Sequence, residues 1–169
     1  MKYFTFIPAL LLSLTSVNAF ADDFTCQQIS GTISKLVPDP ECKILQSKPG
    51  HFPDVTFVAE NFPGAPNICF SSQLATTLGG KKVIGKAYSG ITVNGIGELT
   101  AASAIQFILK PNNVELGWMY TKDVIGNAVE ILAMADGTRT FNDGRGGLEI
   151  TGNALEEATS FTGKLCMED

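Results

Sequence analysis

Ala135-Asp-Gly-Thr-Arg-Thr-Phe-Asn-Asp-Gly-Arg-Gly-Gly-Leu-Glu-Ile-Thr-Gly-Asn153 is the stretch whose reading decides the fold. Its glycines at 137, 144, 146, 147 and 152 are places where the backbone can take positive φ or pass close to a neighbour. An apolar run, Ile131 to Ala135, ends as it begins, and the alternating pair Leu148 and Ile150 follows. One strand therefore turns into the next.

Outward from that hairpin the chain keeps the same rhythm. Leu78-Gly79-Gly80-Lys81 and Asn94-Gly95 are hairpin signals, because both central residues of such turns need positive φ. They bound strands over Ile68 to Thr77 and Lys82 to Val93. Glu98 to Leu109 begins with Ala and Thr and could pass for a short helix, but Ile105, Phe107 and Leu109 alternate with more polar neighbours and favour a strand. Pro111-Asn112-Asn113 turns the chain into Val114 to Tyr120, and Thr121-Lys122-Asp123 or Gly126-Asn127 turns it again into Ala128 to Ala135. Gly147 to Thr151 and Thr159 to Cys166 complete the series. Phe24 to Lys35 reads as a first strand with a bulge near Gln28. Between Cys42 and Ile68 the chain is irregular and proline-rich, with one short strand candidate, Val55 to Ala59, and a segment of that kind is the candidate cover for a pocket mouth. About eight short strands and no amphipathic helix predict an all-β fold, an antiparallel, roughly eight-stranded β-barrel closed so that no edge is exposed.

Within the opening stretch, Gly137, Thr138, Phe141 and Gly146 fit the pattern Gly-Gly-Thr-Gly-x-Phe-x-x-Ala-x-Gly, and on these residues the chain resembles dirigent proteins, allene oxide cyclases and small secreted bacterial proteins with their barrel. Asp136 and Arg139 stand where that family usually has glycine, and Gly144 where it usually has alanine. The resemblance implies a calycin-type barrel and, as one option, isomerase, cyclase or dirigent-like chemistry inside it. None of this chain's carboxylates matches a catalytic position of that family.

The N-terminus reads as a secretory signal peptide. Lys2 precedes the apolar stretch Tyr3 to Leu14, and Ala19-Phe20-Ala21 offers a small-x-small cleavage pattern. The expected organisation is residues 1–21 as leader, cut after Ala21, and residues 22–169 as one domain, secreted or periplasmic. Without Lys2 the exported part keeps 11 of the 12 basic residues against 17 acidic ones, a balance that argues against nucleic acid and anionic membrane surfaces as partners. An outer-membrane barrel is the competing architecture, but three tyrosines and one tryptophan are few for aromatic girdles, so no stable membrane insertion is expected.

Cys26, Cys42, Cys69 and Cys166 all lie in the exported part, an even number that predicts two disulfides in an oxidising compartment. Three pairings are open. Cys26 with Cys42 is favoured because it closes a short loop, leaving Cys69 with Cys166 to fasten the last strand. No Cys-x-x-Cys pair exists and His51 is the single histidine, so neither a zinc site, a metal centre nor a cofactor is expected. A Ser-His-Asp site would have to use His51, and no Gly-x-Ser-x-Gly elbow is present. The Asp136 to Gly144 run lacks the spacing of a calcium loop and suits a turn.

Chemistry inside the barrel would need inward carboxylates, and Glu98, Glu115, Asp123, Glu130 and Glu149 are the candidates. Glu115 and Glu130, on neighbouring strands among apolar residues, are singled out, together with Trp118 as a pocket wall. The expected function is non-enzymatic: binding of a small apolar ligand, or service as a secreted interaction module. An isomerase or cyclase acting in the barrel interior is the alternative, and self-association into a homo-oligomer through the barrel wall is a third class. An inward carboxylate beside an open cavity would separate the first two.

Overall fold

A computed structural model describes residues 24–39, 69–93, 99–126 and 128–168, with the backbone alone for 91–93 and 99–100. The leader, His51, Cys42, the 42–68 segment with its Val55 to Ala59 strand, Asn94-Gly95 and Glu98 lie outside the described residues. Among the described residues nine strands follow in chain order: β1 Phe24–Ile33, β2 Val37–Pro38, β3 Cys69–Leu78, β4 Lys81–Val93, β5 Leu99–Leu109, β6 Val114–Ile125, β7 Val129–Gly137, β8 Arg145–Thr151 and β9 Thr159–Glu168. Neighbours pair antiparallel in the order β1-β9-β8-β7-β6-β5-β4-β3, and β1 pairs with β3 to shut the sheet into an eight-stranded barrel. The two-residue β2 adds one further strand beside β3.

The expected hairpin at Gly79-Gly80 is present, with φ of 57° and 72°. The glycine-rich stretch turns β7 into β8 through a single 3-10 turn, Arg139–Phe141. Gly146 is needed there: φ is 119°, and a Cβ would sit 2.0 Å from the Lys164 carbonyl oxygen of β9. Leu99–Leu109 is a strand, not a helix, because Ile105 and Phe107 face a packed interior that only period-two alternation can fill.

Three expectations are corrected. β1 carries no bulge: it pairs with β9 without a register shift from Phe24 opposite Glu168 to Ile33 opposite Thr159, and plain alternation already places Ile29 and Ile33 inside. Thr121-Lys122-Asp123 is not a turn but part of β6, which runs to Ile125, and the chain reverses between Gly126 and Val129 instead, the Gly126 N–H donating to the Val129 carbonyl. Cys26 pairs with Cys166, not Cys42, because the β1–β9 register sets the two residues directly opposite, with Cα atoms 3.9 Å apart. Cys69 is disulfide-bonded as well.

The interior is apolar over most of its length, with Val83, Ile105, Phe107, Met119, Phe161 and Leu165 fully or almost fully buried. One end carries the connections Gly79-Gly80, Lys110–Asn113 and the 3-10 turn, whose buried Phe141 packs on Phe107 with ring centroids 4.8 Å apart. The opposite end receives the connections after β1, between β4 and β5, between β6 and β7, and between β8 and β9. Polar side chains enter the interior at that second end.

Candidate functional site at the barrel mouth

Toward the second end the inward positions of three adjacent strands change from aliphatic to small and hydroxylic. Ser89 of β4 pairs with Ser103 of β5, which pairs with Thr121 of β6; one step further out, Ala101 faces Asp123. Small side chains at 89, 101 and 103 leave volume unfilled, and a cavity of about 250 Å³ opens there. Its wall is mostly apolar, with Leu36, Phe70, Ala101, Ile125, Val129 and Leu155, while Ser89, Glu130 and Asn153 supply the polar surface. No lysine or arginine lines it among the described residues.

Asp123 lies behind this wall, 4% exposed, and both its oxygens are engaged. The Ser103 hydroxyl donates to Oδ2 at 2.5 Å and the Thr121 hydroxyl to Oδ1 at 2.5 Å. Ser103 Oγ is also 2.7 Å from Ser89 Oγ, so the polar chain reaches the cavity surface. Burial pushes the Asp123 carboxyl up to about 6, against the pull of its two hydroxyl donors, which favour the charged form. Glu130 enters from β7 at the level of Ile125 and lines the cavity itself. Desolvation first, and the nearby Asp123 charge second, push Glu130 up to about 7. Two carboxyls of one site thus titrate near neutrality, where a proton can be given or taken at little cost.

The three residues singled out from the sequence do not come together. Glu130 is in the cavity wall. Glu115 and Trp118 are on the outer face of β6: Glu115 accepts a hydrogen bond from Gln106 Nε2 at 2.9 Å and lies 3.6 Å from Arg139 Nε, and Trp118 stacks with Tyr88 and Tyr120 at 6.2 and 6.5 Å. Of the other carboxylates considered, Asp123 faces in, and Glu149 alternates with inward Leu148 and Ile150 and faces solvent. Ser89, Ser103 and Thr121 were not legible as site residues, since hydroxyls in strands are ordinary; only their registration across three strands beside a carboxylate marks them.

Fold and site together define a closed antiparallel barrel with a polar-floored cavity at one mouth. No protein-family model matches the chain, and no match was found among curated proteins or solved structures.

Proposed function

We propose that the chain is an exported ligand-binding barrel, holding a small, largely apolar molecule in its mouth with Glu130 and Ser89 as the polar contacts. The observation that carries this reading is the cavity itself, whose apolar wall meets a few polar groups from separate strands, the usual make-up of a small-molecule site. At about 250 Å³ it suits a ligand of one or two rings. Exposed Ile125 and Leu155, 46% and 45% accessible, line the same opening and favour an apolar guest. Lys86, Glu149, Thr162 and Lys164 on the outer wall support a barrel that stands in water, and the disulfides suit an oxidising compartment. A second reading, acid–base catalysis of an isomerisation or cyclisation, is favoured by one observation: Glu130 titrates near 7 within the cavity. It is also what the resemblance to allene oxide cyclases implies.

Native mass spectrometry of the protein purified from its own host tests the binding. A bound mass that disappears on denaturation, and is missing from an Ala101→Phe variant whose ring fills the mouth, supports the reading. A protein that is empty, or whose bound mass survives Ala101→Phe, overturns it.

A further inference from the structure

The hydroxyls behind the mouth form a chain with a direction. Each serine or threonine hydroxyl has one proton to give. When Asp123 is ionised its oxygens only accept, so Ser103 commits its proton to Oδ2 at 2.5 Å and Thr121 commits its own to Oδ1 at 2.5 Å. Ser103 is left with lone pairs for Ser89, 2.7 Å away, and Ser89 must be the donor of that bond. What Ser89 then presents to the cavity is a lone pair. We propose that Ser89 is the group by which the barrel reads its ligand, accepting a hydrogen bond from an N–H or O–H of the bound molecule, and that protonation of Asp123 reverses it into a donor.

The reversal follows from the distances. Thr121 has only a poor alternative acceptor, the Ser103 carbonyl at 3.4 Å, so it keeps donating to Oδ1 and the added proton settles on Oδ2. Oδ2 then donates to Ser103, Ser103 turns its proton to Ser89, and the Ser89 hydroxyl swings its own into the cavity. One proton enters from solvent and stays on Asp123; no covalent bond of the ligand changes. The ligand class selected is therefore an alcohol, amide or ring N–H when Asp123 is charged, and a carbonyl or ether when it is neutral. The groups that face Asp123 are Ser103 from β5, Thr121 from its own strand, and Glu130 from β7, whose own carboxyl the Asp123 charge pushes up. The raised Asp123 pKa puts the reversal in the mildly acidic range.

This inference rests on the mouth being a ligand site, and the test separates the two. The full chain is titrated by NMR with three neutral bicyclic probes of similar size: indole, an N–H donor; benzofuran, with no donor; and 1-indanone, a carbonyl acceptor. At about pH 8 indole should bind about three- to tenfold more tightly than benzofuran, and at about pH 5 that advantage should pass to 1-indanone. Ser89→Ala should bind indole and benzofuran alike at both pH values. Asp123→Asn, whose amide donates to Ser103 as the protonated acid does, should prefer 1-indanone even at about pH 8. Equal affinities for the probes in the unaltered protein, or a donor preference that survives Ser89→Ala, overturn this inference and leave the mouth a binding site. Binding of none of the three overturns both.

Discussion

Ser103 pairs with Thr121 in the β5–β6 ladder, yet its hydroxyl reaches diagonally to Asp123 Oδ2 at 2.5 Å, binding the innermost carboxylate of the barrel to the strand beside it. Such a bond stabilises the charge but does not offset the loss of water around it. Asp123 accordingly titrates at about 6 instead of 3.8.

Stability should therefore fall as pH rises through the mildly acidic range. A carboxyl whose folded pKa is raised holds its proton more tightly in the folded chain, so its contribution is full below the unfolded pKa and is lost as pH climbs through the folded one. For Asp123 the window runs from 3.8 to about 6, and for Glu130 from 4.5 to about 7. Asp123 alone accounts for about 3 kcal/mol, from about two pH units of displacement. Urea unfolding at intervals from about pH 4 to about pH 8 should show this decline, and Asp123→Asn combined with Glu130→Gln should flatten it. A stability that rises over the same window would contradict the burial of these groups.

Ser103→Ala should move the Asp123 titration further up. The serine hydroxyl is the larger of the two hydrogen-bonding causes that lower it, ahead of Thr121. Removing a donor to a charged acceptor costs about 1.5–3 kcal/mol, which corresponds to about one to two pH units. The ¹³C chemical shift of the Asp123 carboxyl, followed against pH, reads it directly. An unchanged midpoint would mean that the Ser103 hydroxyl does not point at Oδ2.

The disulfide joins the first strand to the last, across 140 residues. In the chain-entropy description a loop of that length is worth about 5 kcal/mol, because it restricts the unfolded chain far more than the folded one. Replacing Cys26 and Cys166 together by serine avoids mispairing with the remaining cysteines. The double variant should unfold at markedly lower urea concentration with an unaltered far-UV spectrum in water. A midpoint within experimental error of the parent would show that β1 and β9 remain associated in the unfolded state.

Much of the barrel was legible because its turns and alternation are local properties. Gly79-Gly80 announces a hairpin, and Leu148 with Ile150 announces a half-buried strand, whatever lies across the sheet. What failed was parity and register. Trp118 was singled out as a pocket wall for its aromatic ring and its neighbours, and neither fixes which face of a strand a residue takes. In the β5–β6 ladder Phe107 faces Gly117 and Ile108 faces Glu115, so Leu116 is an extra residue, and the bulge, with Gly117 at φ 141°, turns Trp118 outward. Thr121-Lys122-Asp123 looked like a turn for a related reason: polar residues of that kind favour turns until neighbouring strands satisfy them. Cys26 found Cys166 because ladder register outweighed the short loop that favoured Cys42. Each of these depends on which strand lies next door, and that information is spread over the whole chain.

Phe141→Ala should separate the roles of the barrel's two ends. Phe141 is fully buried at the end of the 3-10 turn that delivers it, and it fills the space over Phe107 and beside Gly117. Truncating a buried phenylalanine removes its transfer free energy and leaves a void, together about 3–5 kcal/mol. The mouth, with Ser89, Ala101 and Glu130, is at the other end of the interior, and neither Phe141 nor Phe107 lines it. Urea unfolding should therefore show the loss in full, while indole and benzofuran keep their affinities at temperatures where the variant stays folded. If probe affinity fell in step with stability, the unfilled volume would have to be shared along the barrel axis, and the cavity would be a property of the whole interior and not of its mouth.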